Sequence, residues 1–97
     1  MANFAATIGT SATVIRAKNS KRIHLWFENL SSGTVFVGDS SSVTTSNGIR
    51  LAQNEVMELK HEGGHNKFFY KGDWYGIVAS GTSNVQGLEL EEAKQLI

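Results

Sequence analysis

The sequence predicts an all-β domain: an antiparallel β-sandwich or jelly-roll-like barrel of about seven or eight short strands. Ser, Thr, Asn and Gly together supply 34 of the 97 residues, a turn-rich background that suits short strands better than long helices. Turn signals recur about every 8 to 12 residues, as they do in sandwiches. A chain of 97 residues has room for one domain with one hydrophobic core.

Three segments are distinguished along the chain. Residues 1–20 are rich in Ala, Thr, Asn and Ser, and we expect them to form an extended N-terminal arm carrying one strand. Residues 21–90 hold the regular alternation and most turn signals, and they are predicted to form the sandwich. Residues 91–97 are expected to form a short C-terminal tail, helical or extended.

The first strong strand lies at residues 22–28. Its side chains alternate with a period of two, which predicts that Ile23, Leu25 and Phe27 face inward. A turn cluster and a second apolar run follow at once, so residues 22–38 are predicted to form a hairpin.

Later strands are separated by clear turn residues. Asn47-Gly48 predicts a tight reversal, because both residues tolerate positive φ. Gly72-Asp73 and residues 81–84 predict two more turns. Between these turns, strands are predicted at residues 49–51, 56–59, 68–70, 74–79 and 85–90.

Composition excludes several classes of function. Nine basic and nine acidic residues give a net charge of zero, which removes the usual electrostatic reason to bind nucleic acid or an anionic membrane. Neither is expected as a partner. The chain has no Cys, which excludes disulfides, thiol nucleophiles and Cys-ligated zinc, and no cofactor is expected. The first half of the chain is basic and the second half acidic, a pattern that permits head-to-tail attraction between copies.

One segment matches a catalytic motif. Residues 61–65 read His-Glu-Gly-Gly-His, the H-E-x-x-H pattern in which two His on one helical face hold zinc and the Glu acts as base. Paired glycines cost such a helix about 2 kcal/mol relative to alanine, so a solvated hairpin loop is favoured over a helix. His61 and His65 are the metal candidates: an adventitious or subunit-bridging metal is one alternative, and a small zinc hydrolase using Glu62 is the remote one.

Several residues are candidates for contact with another subunit or a larger assembly. Trp26 falls on the strand face opposite Leu25 and Phe27, so we expect its ring to be exposed in the monomer and buried against a neighbour. A basic cluster precedes it, and the arm and tail carry apolar side chains that could reach across a boundary. The contact candidates are Phe4, Ile8, Lys18, Lys21, Arg22, Trp26, Leu96 and Ile97.

Five runs of the sequence together resemble a known family. They are residues 22–29 (RIHLWFEN), 34–38 (TVFVG), 43–51 (VTTSNGIRL), 74–82 (WYGIVASGT) and 85–90 (VQGLEL). In this order they resemble small β-sandwich virion proteins of tailed bacteriophages. The arm and the segment around His61 to His65 lie outside the matching pattern, so neither inherits a function from it.

The resemblance implies a structural, non-enzymatic protein. A capsid decoration (cement) protein is the leading expectation: a homotrimer, assembled in the host cytoplasm, that binds the major capsid protein on the outer capsid surface and stabilises the head. The alternative is a tail, baseplate or receptor-binding module of the same fold. Such a module would bind a host glycan or protein through Trp26, Trp74 or Tyr75.

Overall fold

The computed structural model describes residues 2–60 and 70–91. In that part of the chain there are eight strands, and no helix is long and apolar enough to cross a membrane. The prediction of an all-β fold with seven or eight strands is confirmed. The strands are β1 (Ala2–Ile8), β2 (Thr13–Arg16), β3 (Arg22–Asn29), β4 (Val35–Gly38), β5 (Ile49–Leu51), β6 (Val56–Lys60), β7 (Trp74–Ile77) and β8 (Ser83–Glu91).

The strands form two four-stranded sheets, and every pair is antiparallel. The first sheet has the order β1-β8-β3-β6, and the second has the order β2-β7-β4-β5. Four pairs are nested around the β4–β5 connection: β4 with β5, β3 with β6, β2 with β7 and β1 with β8. A long antiparallel hairpin gives this order when it is rolled into two facing sheets. The sandwich is therefore of the jelly-roll type.

The N-terminal residues belong to the sandwich. β1 pairs with β8 along its whole length, from Ala2 opposite Glu89 to Ile8 opposite Ser83, and β2 pairs with β7. The expectation of an extended arm over residues 1–20 is therefore wrong. The alternation in β1 was hard to recognise because its inward positions include Ala6 as well as larger residues, and its outward positions include Ala5.

β3 and β4 do not form the predicted hairpin, because they lie in different sheets. The residues between them cross from the first sheet to the second. The buried Asn29 side chain holds this crossing: its Nδ2 donates to the Gly33 carbonyl oxygen at 2.7 Å and to the Leu51 carbonyl oxygen at 2.9 Å. A period-two pattern states only which face is inside, so it is the same for a hairpin and for a crossing between sheets.

A turn is present at Asn47-Gly48, where both main-chain N–H groups donate to the Thr44 carbonyl oxygen, but neither residue has the positive φ on which the prediction rested. The turn lies in the loop that joins β4 to β5, and these strands pair with Val35 opposite Leu51 and Val37 opposite Ile49. A Cβ atom at position 48 would lie 2.7 Å from Cβ of Phe36, so this close approach favours glycine.

The core lies between the two sheets. Leu25 and Phe27 face inward as predicted, whereas Ile23 is only half-buried. A bulge between Arg22 and His24 shifts the register there and turns Arg22 inward instead of Ile23. The buried apolar residues that form the core are Ile8, Ile15, Leu25, Phe27, Val35, Val37, Leu51, Trp74, Val78 and Val85.

Candidate functional site

The outer face of the first sheet carries a shallow groove of about 620 Å³. Trp26 lies there half-buried on β3, directly opposite Leu88 of β8. Leu88 in turn lies opposite Asn3 of β1, and Gln86 lies opposite Ala5. We call this surface the Trp26 groove. Its lining consists of Asn3, Phe4, Ala5, Trp26, Gln86, Gly87 and Leu88.

Small residues shape the groove and fix the strands beneath it. Ala5 offers only a methyl group on the outer face between larger neighbours, which leaves the depression. Gly87 lies below, where an added Cβ atom would meet the Trp26 carbonyl oxygen, the Phe4 ring at 2.5 Å and Cβ of Phe27 at 2.8 Å. The core therefore fills the space under position 87, and β1, β8 and β3 approach closely only because that residue is glycine.

The chemistry of the Trp26 groove is apolar with polar edges. Its aromatic ring lies among Leu88 and Ala5, and the Asn3 and Gln86 amides flank it. Neither amide forms a side-chain hydrogen bond with another residue of the described part of the chain. Charged side chains do not line the groove. The arrangement suits a neutral ligand with one apolar face and hydrogen-bonding groups at its rim.

The inner face of the same strands holds a buried ion cluster. Arg22 is 0% exposed and Glu89 is 2% exposed, and Nε of Arg22 donates to Oε2 of Glu89 at 2.6 Å. Arg16 of β2 donates from Nη2 to the other carboxylate oxygen at 2.7 Å. The Arg22 guanidinium also donates to the carbonyl oxygens of Gly72 at 2.9 Å and Ala17 at 2.8 Å. The cluster therefore joins the two sheets.

Glu89 has a structural role. Burial raises the pKa of its carboxyl group, but hydrogen bonds from Arg22 and Arg16 outweigh burial, so the pKa lies below the ordinary range of a glutamate. The carboxylate is charged, fully paired and closed to solvent. Arg16 also lies over the Phe4 ring, with 4.8 Å from Cζ to the ring centroid. No substrate can reach this carboxylate without opening the sandwich.

Trp74 and Tyr70 form an aromatic group inside the fold. The two rings meet edge to face with centroids 5.2 Å apart, and Trp74 is buried in the core. Burial, followed by the nearby Asp39 and Asp73 carboxylates, raises the pKa of the Tyr70 phenol, which donates to the Asp73 carbonyl oxygen at 2.9 Å. Trp74 is thus a core residue, and the expectation that it offers a binding surface is wrong.

A second groove of about 540 Å³ lies along the open side of the sandwich, where the edge strands β5 and β6 face each other. Ile49 is 55% exposed and Val56 is 44% exposed. Two residues of opposite charge line the groove, Arg50 of β5 and Glu58 of β6. We call this surface the β5–β6 edge. Exposed apolar residues on an edge strand are typical of a site for association.

The predicted contact residues are dispersed rather than gathered at one site. Ile8 and Arg22 are fully buried, which corrects their assignment as contact residues. Phe4 is half-buried and packs against the core. Lys18 and Lys21 are exposed, and their role stays a prediction.

Of the remaining candidates, the structure describes one, and the others lie outside the described residues. Trp26 lies on the outer face, as its position in the alternation predicts. Leu96 and Ile97 lie outside the described residues, and so does the segment that contains His61, Glu62 and His65. The predictions that rest on these five residues stay predictions.

Of the residues that line the Trp26 groove, the sequence analysis names Trp26 and Phe4 as contact candidates and misses the others, although a signal is present. With a period of two, the buried Val85 places Gly87 and Glu89 on the inner face, and Leu88 on the outer face. The sequence analysis predicts a strand at residues 85–90 but does not state which face of the sheet its leucines occupy. Placing Leu88 outside would have set an apolar residue beside Trp26.

No protein-family model, curated protein or solved structure matches the chain. Within residues 2–60 and 70–91, no group of three or more His, Asp or Glu side chains is placed to hold a metal ion. The function is therefore inferred from the fold and from the two exposed grooves.

Proposed function

We propose that this chain is a non-enzymatic structural protein of a tailed-bacteriophage virion, namely a capsid decoration protein. It binds the major capsid protein on the outer surface and stabilises the head as a homotrimer. The observation that carries the proposal is the nested strand order of the two sheets, because jelly rolls are frequent in viral capsid and lectin domains. The runs that resemble virion proteins lie in β3, the β4–β5 hairpin, β7 and β8.

A fold hosts many functions, so the proposal also draws on the molecular surface. The β5–β6 edge exposes Ile49 and Val56 beside Arg50 and Glu58. Edge strands also present main-chain groups that a neighbouring chain can pair with. A contact of this kind is small for one copy, but it adds up over the many copies of a particle. The β5–β6 edge is our candidate for the contact with the capsid or with the next subunit.

Binding of the full chain to phage heads tests the proposal. The purified chain is mixed with heads of the phage that encodes it, prepared without it, and the particles are sedimented. We expect co-sedimentation that saturates at a fixed number of copies per head. Sedimentation with tails alone would support the tail-module alternative instead, and sedimentation with neither would overturn a virion role.

Two matched substitutions test the β5–β6 edge. Val56→Asp places a charge on β6, where Val56 is 44% exposed, and Val14→Asp does the same on β2, where Val14 is 43% exposed. These strands lie at opposite sides of the sandwich. We expect Val56→Asp to weaken head binding by about tenfold or more and Val14→Asp to leave it unchanged. The reverse result would show that the contact lies on the β2 side.

Deletion of residues 1–20 is unsuitable as a test of particle binding. It removes β1 and β2, each an edge strand of one sheet, and it removes Arg16 from the ion cluster. A truncated chain would lose binding through unfolding. Point substitutions on exposed positions are therefore required.

A further inference from the structure

We infer that the Trp26 groove is a binding site for a neutral carbohydrate. This site goes beyond the proposed structural role and does not depend on it, because a head protein and a tail protein would display the same outer face. The inference rests on the aromatic ring, the two flanking amides, the charge around the groove and the rigidity of its base.

The Trp26 ring supplies a stacking surface. One face of a pyranose ring is lined by C–H groups, and such a face packs on a flat aromatic side chain that remains partly open to solvent. Trp26 is half-buried on β3, which lies between β8 and β6, so hydrogen-bonded strands on both sides hold its main chain. Leu88 and Ala5 extend the apolar surface beside the ring.

The Asn3 and Gln86 amides supply the polar contacts. Sugar hydroxyl groups both donate and accept hydrogen bonds, and a carboxamide offers two donors and an acceptor. These side chains stand on β1 and β8 at the rim of the groove. They are not used in hydrogen bonds within the described part of the chain. A bound ring can therefore stack on Trp26 while its edge bonds to the amides.

The charges around the groove favour a neutral ligand. Glu58 lies opposite Trp26 on β6, and Glu28 lies opposite Gln86 on β3. No Lys or Arg lines the groove, whereas single-stranded nucleic acid is bound by aromatic rings together with a positively charged surface. These two carboxylates offer no attraction to phosphates, uronic acids or sialic acids. A neutral sugar carries no such penalty.

The groove is also preformed. Its volume of about 620 Å³ lies within the range of roughly 300–1,000 Å³ that is typical of ligand sites. Gly87 lets β1, β8 and β3 pack closely beneath it, and the ion cluster fixes β3 to β8 through Arg22 and Glu89. A rigid base reduces the entropy lost on binding, so even a weak ligand is held in one orientation.

Chemical-shift mapping on the full-length chain tests the inference. The ¹⁵N-labelled protein is titrated with glucose, galactose, mannose and N-acetylglucosamine and with neutral oligomers of each, and then with sialyllactose and oligo(dT). We expect shifts that cluster at Asn3, Trp26 and Leu88 with at least one neutral sugar. Absence of such shifts with every neutral probe, or stronger binding of sialyllactose or oligo(dT), would overturn it.

Substitutions then assign the contacts. Trp26→Ala should weaken binding of the best neutral probe by about tenfold or more, and Trp26→Phe, which keeps a smaller ring, should give an intermediate loss. Phe36→Ala is the matched control, because Phe36 is a half-buried aromatic residue on the other sheet. We expect it to bind like the wild type. Equal binding by Trp26→Ala, with a dispersed spectrum that shows a folded chain, would contradict the inference.

Discussion

On β3 and β8, the inner face of the sheet holds a pair of charged residues beside the apolar core, and the outer face holds an aromatic ring and leucines. Arg22 and Glu89 are buried inside, while Trp26, Leu88 and Leu90 lie half-buried outside. In most proteins charged residues are exposed and large apolar residues are buried, so both features are unusual. The difference teaches that each face has its own explanation: the charges inside are fully paired, and the apolar residues outside form a surface suited to a ligand or a partner.

The inner face tolerates charge because the hydrogen bonding of its charged groups is nearly complete. Each oxygen of Glu89 accepts from an arginine, and Arg22 has two further acceptors in main-chain carbonyl groups. A buried ion pair of this kind adds little stability compared with well-packed apolar residues, but removal of one partner leaves an uncompensated charge. The first two predictions test this property.

Glu89→Gln has the largest expected effect. The substitution keeps the shape of the side chain but removes the charge that compensates Arg22, so we expect the free energy of unfolding to fall by about 3–5 kcal/mol. Glu91→Gln is the matched control two residues further on β8. Glu91 is exposed, and within residues 2–60 and 70–91 its side chain accepts one hydrogen bond, from Nδ2 of Asn19 at 2.9 Å, so its loss should be about 1 kcal/mol or less. Urea denaturation measures both, and equal losses would show that the cluster contributes no more than the surface does.

Acid should weaken the inner face through the same residue. The pKa of Glu89 is lower in the folded chain than in the unfolded chain, so between these two values the unfolded state binds more protons. The stability contributed by Glu89 is therefore complete above the ordinary glutamate pKa and is lost as the pH falls through the folded value. Urea denaturation at several acidic pH values measures it. We expect a steeper loss in the wild type than in Glu89→Gln, and parallel curves would contradict the assignment.

Gly87→Ala tests the contact between the two faces. The added methyl group would meet the Trp26 carbonyl oxygen and the Phe4 ring, so we expect a loss of about 1–3 kcal/mol from overpacking. Gly9→Ala is the control, because a Cβ atom at position 9 has no atom within 4 Å. Thermal unfolding followed by circular dichroism compares them. A Gly87→Ala chain as stable as Gly9→Ala would mean that β1 is free to move away from β8.

The fold class followed from the sequence because periodicity and turn residues act locally. Asn47-Gly48 lies between β4 and β5, and Gly72-Asp73 lies directly before β7. Most of the strand predicted at residues 68–70 lies outside the described residues. Pairing between distant strands has no local signature. The β1–β8 pair joins residues more than 70 positions apart, and the residues between β3 and β4 have the same pattern whether the strands pair or cross between sheets.

The burial of Arg22 and Glu89 could not be predicted from the sequence, because the groups that pair with them are distant in the sequence. Charged residues are expected at the surface unless their partners are known. Here the partners are Arg16 for Glu89, and the carbonyl oxygens of Ala17 and Gly72 for Arg22. The bulge that turns Arg22 inward depends on the register with β8. By contrast, the outward position of Trp26 needed only the alternation of β3 itself. The sequence alternation was thus sufficient to predict the outward position of Trp26. The residues beside it are known only from the pairing of distant strands.

The smallest expected effect comes from the contact between His24 and Glu58 on the outer face. Nε2 of His24 lies 2.7 Å from Oε2 of Glu58, with the side chains 26% and 50% exposed. Solvent weakens such an exposed contact, so a double-mutant cycle with His24→Ala and Glu58→Ala should give a coupling energy below about 1 kcal/mol. Urea denaturation of the four proteins measures it. A coupling as large as the loss in Glu89→Gln would show that this exposed contact is as well shielded from solvent as the buried ion cluster.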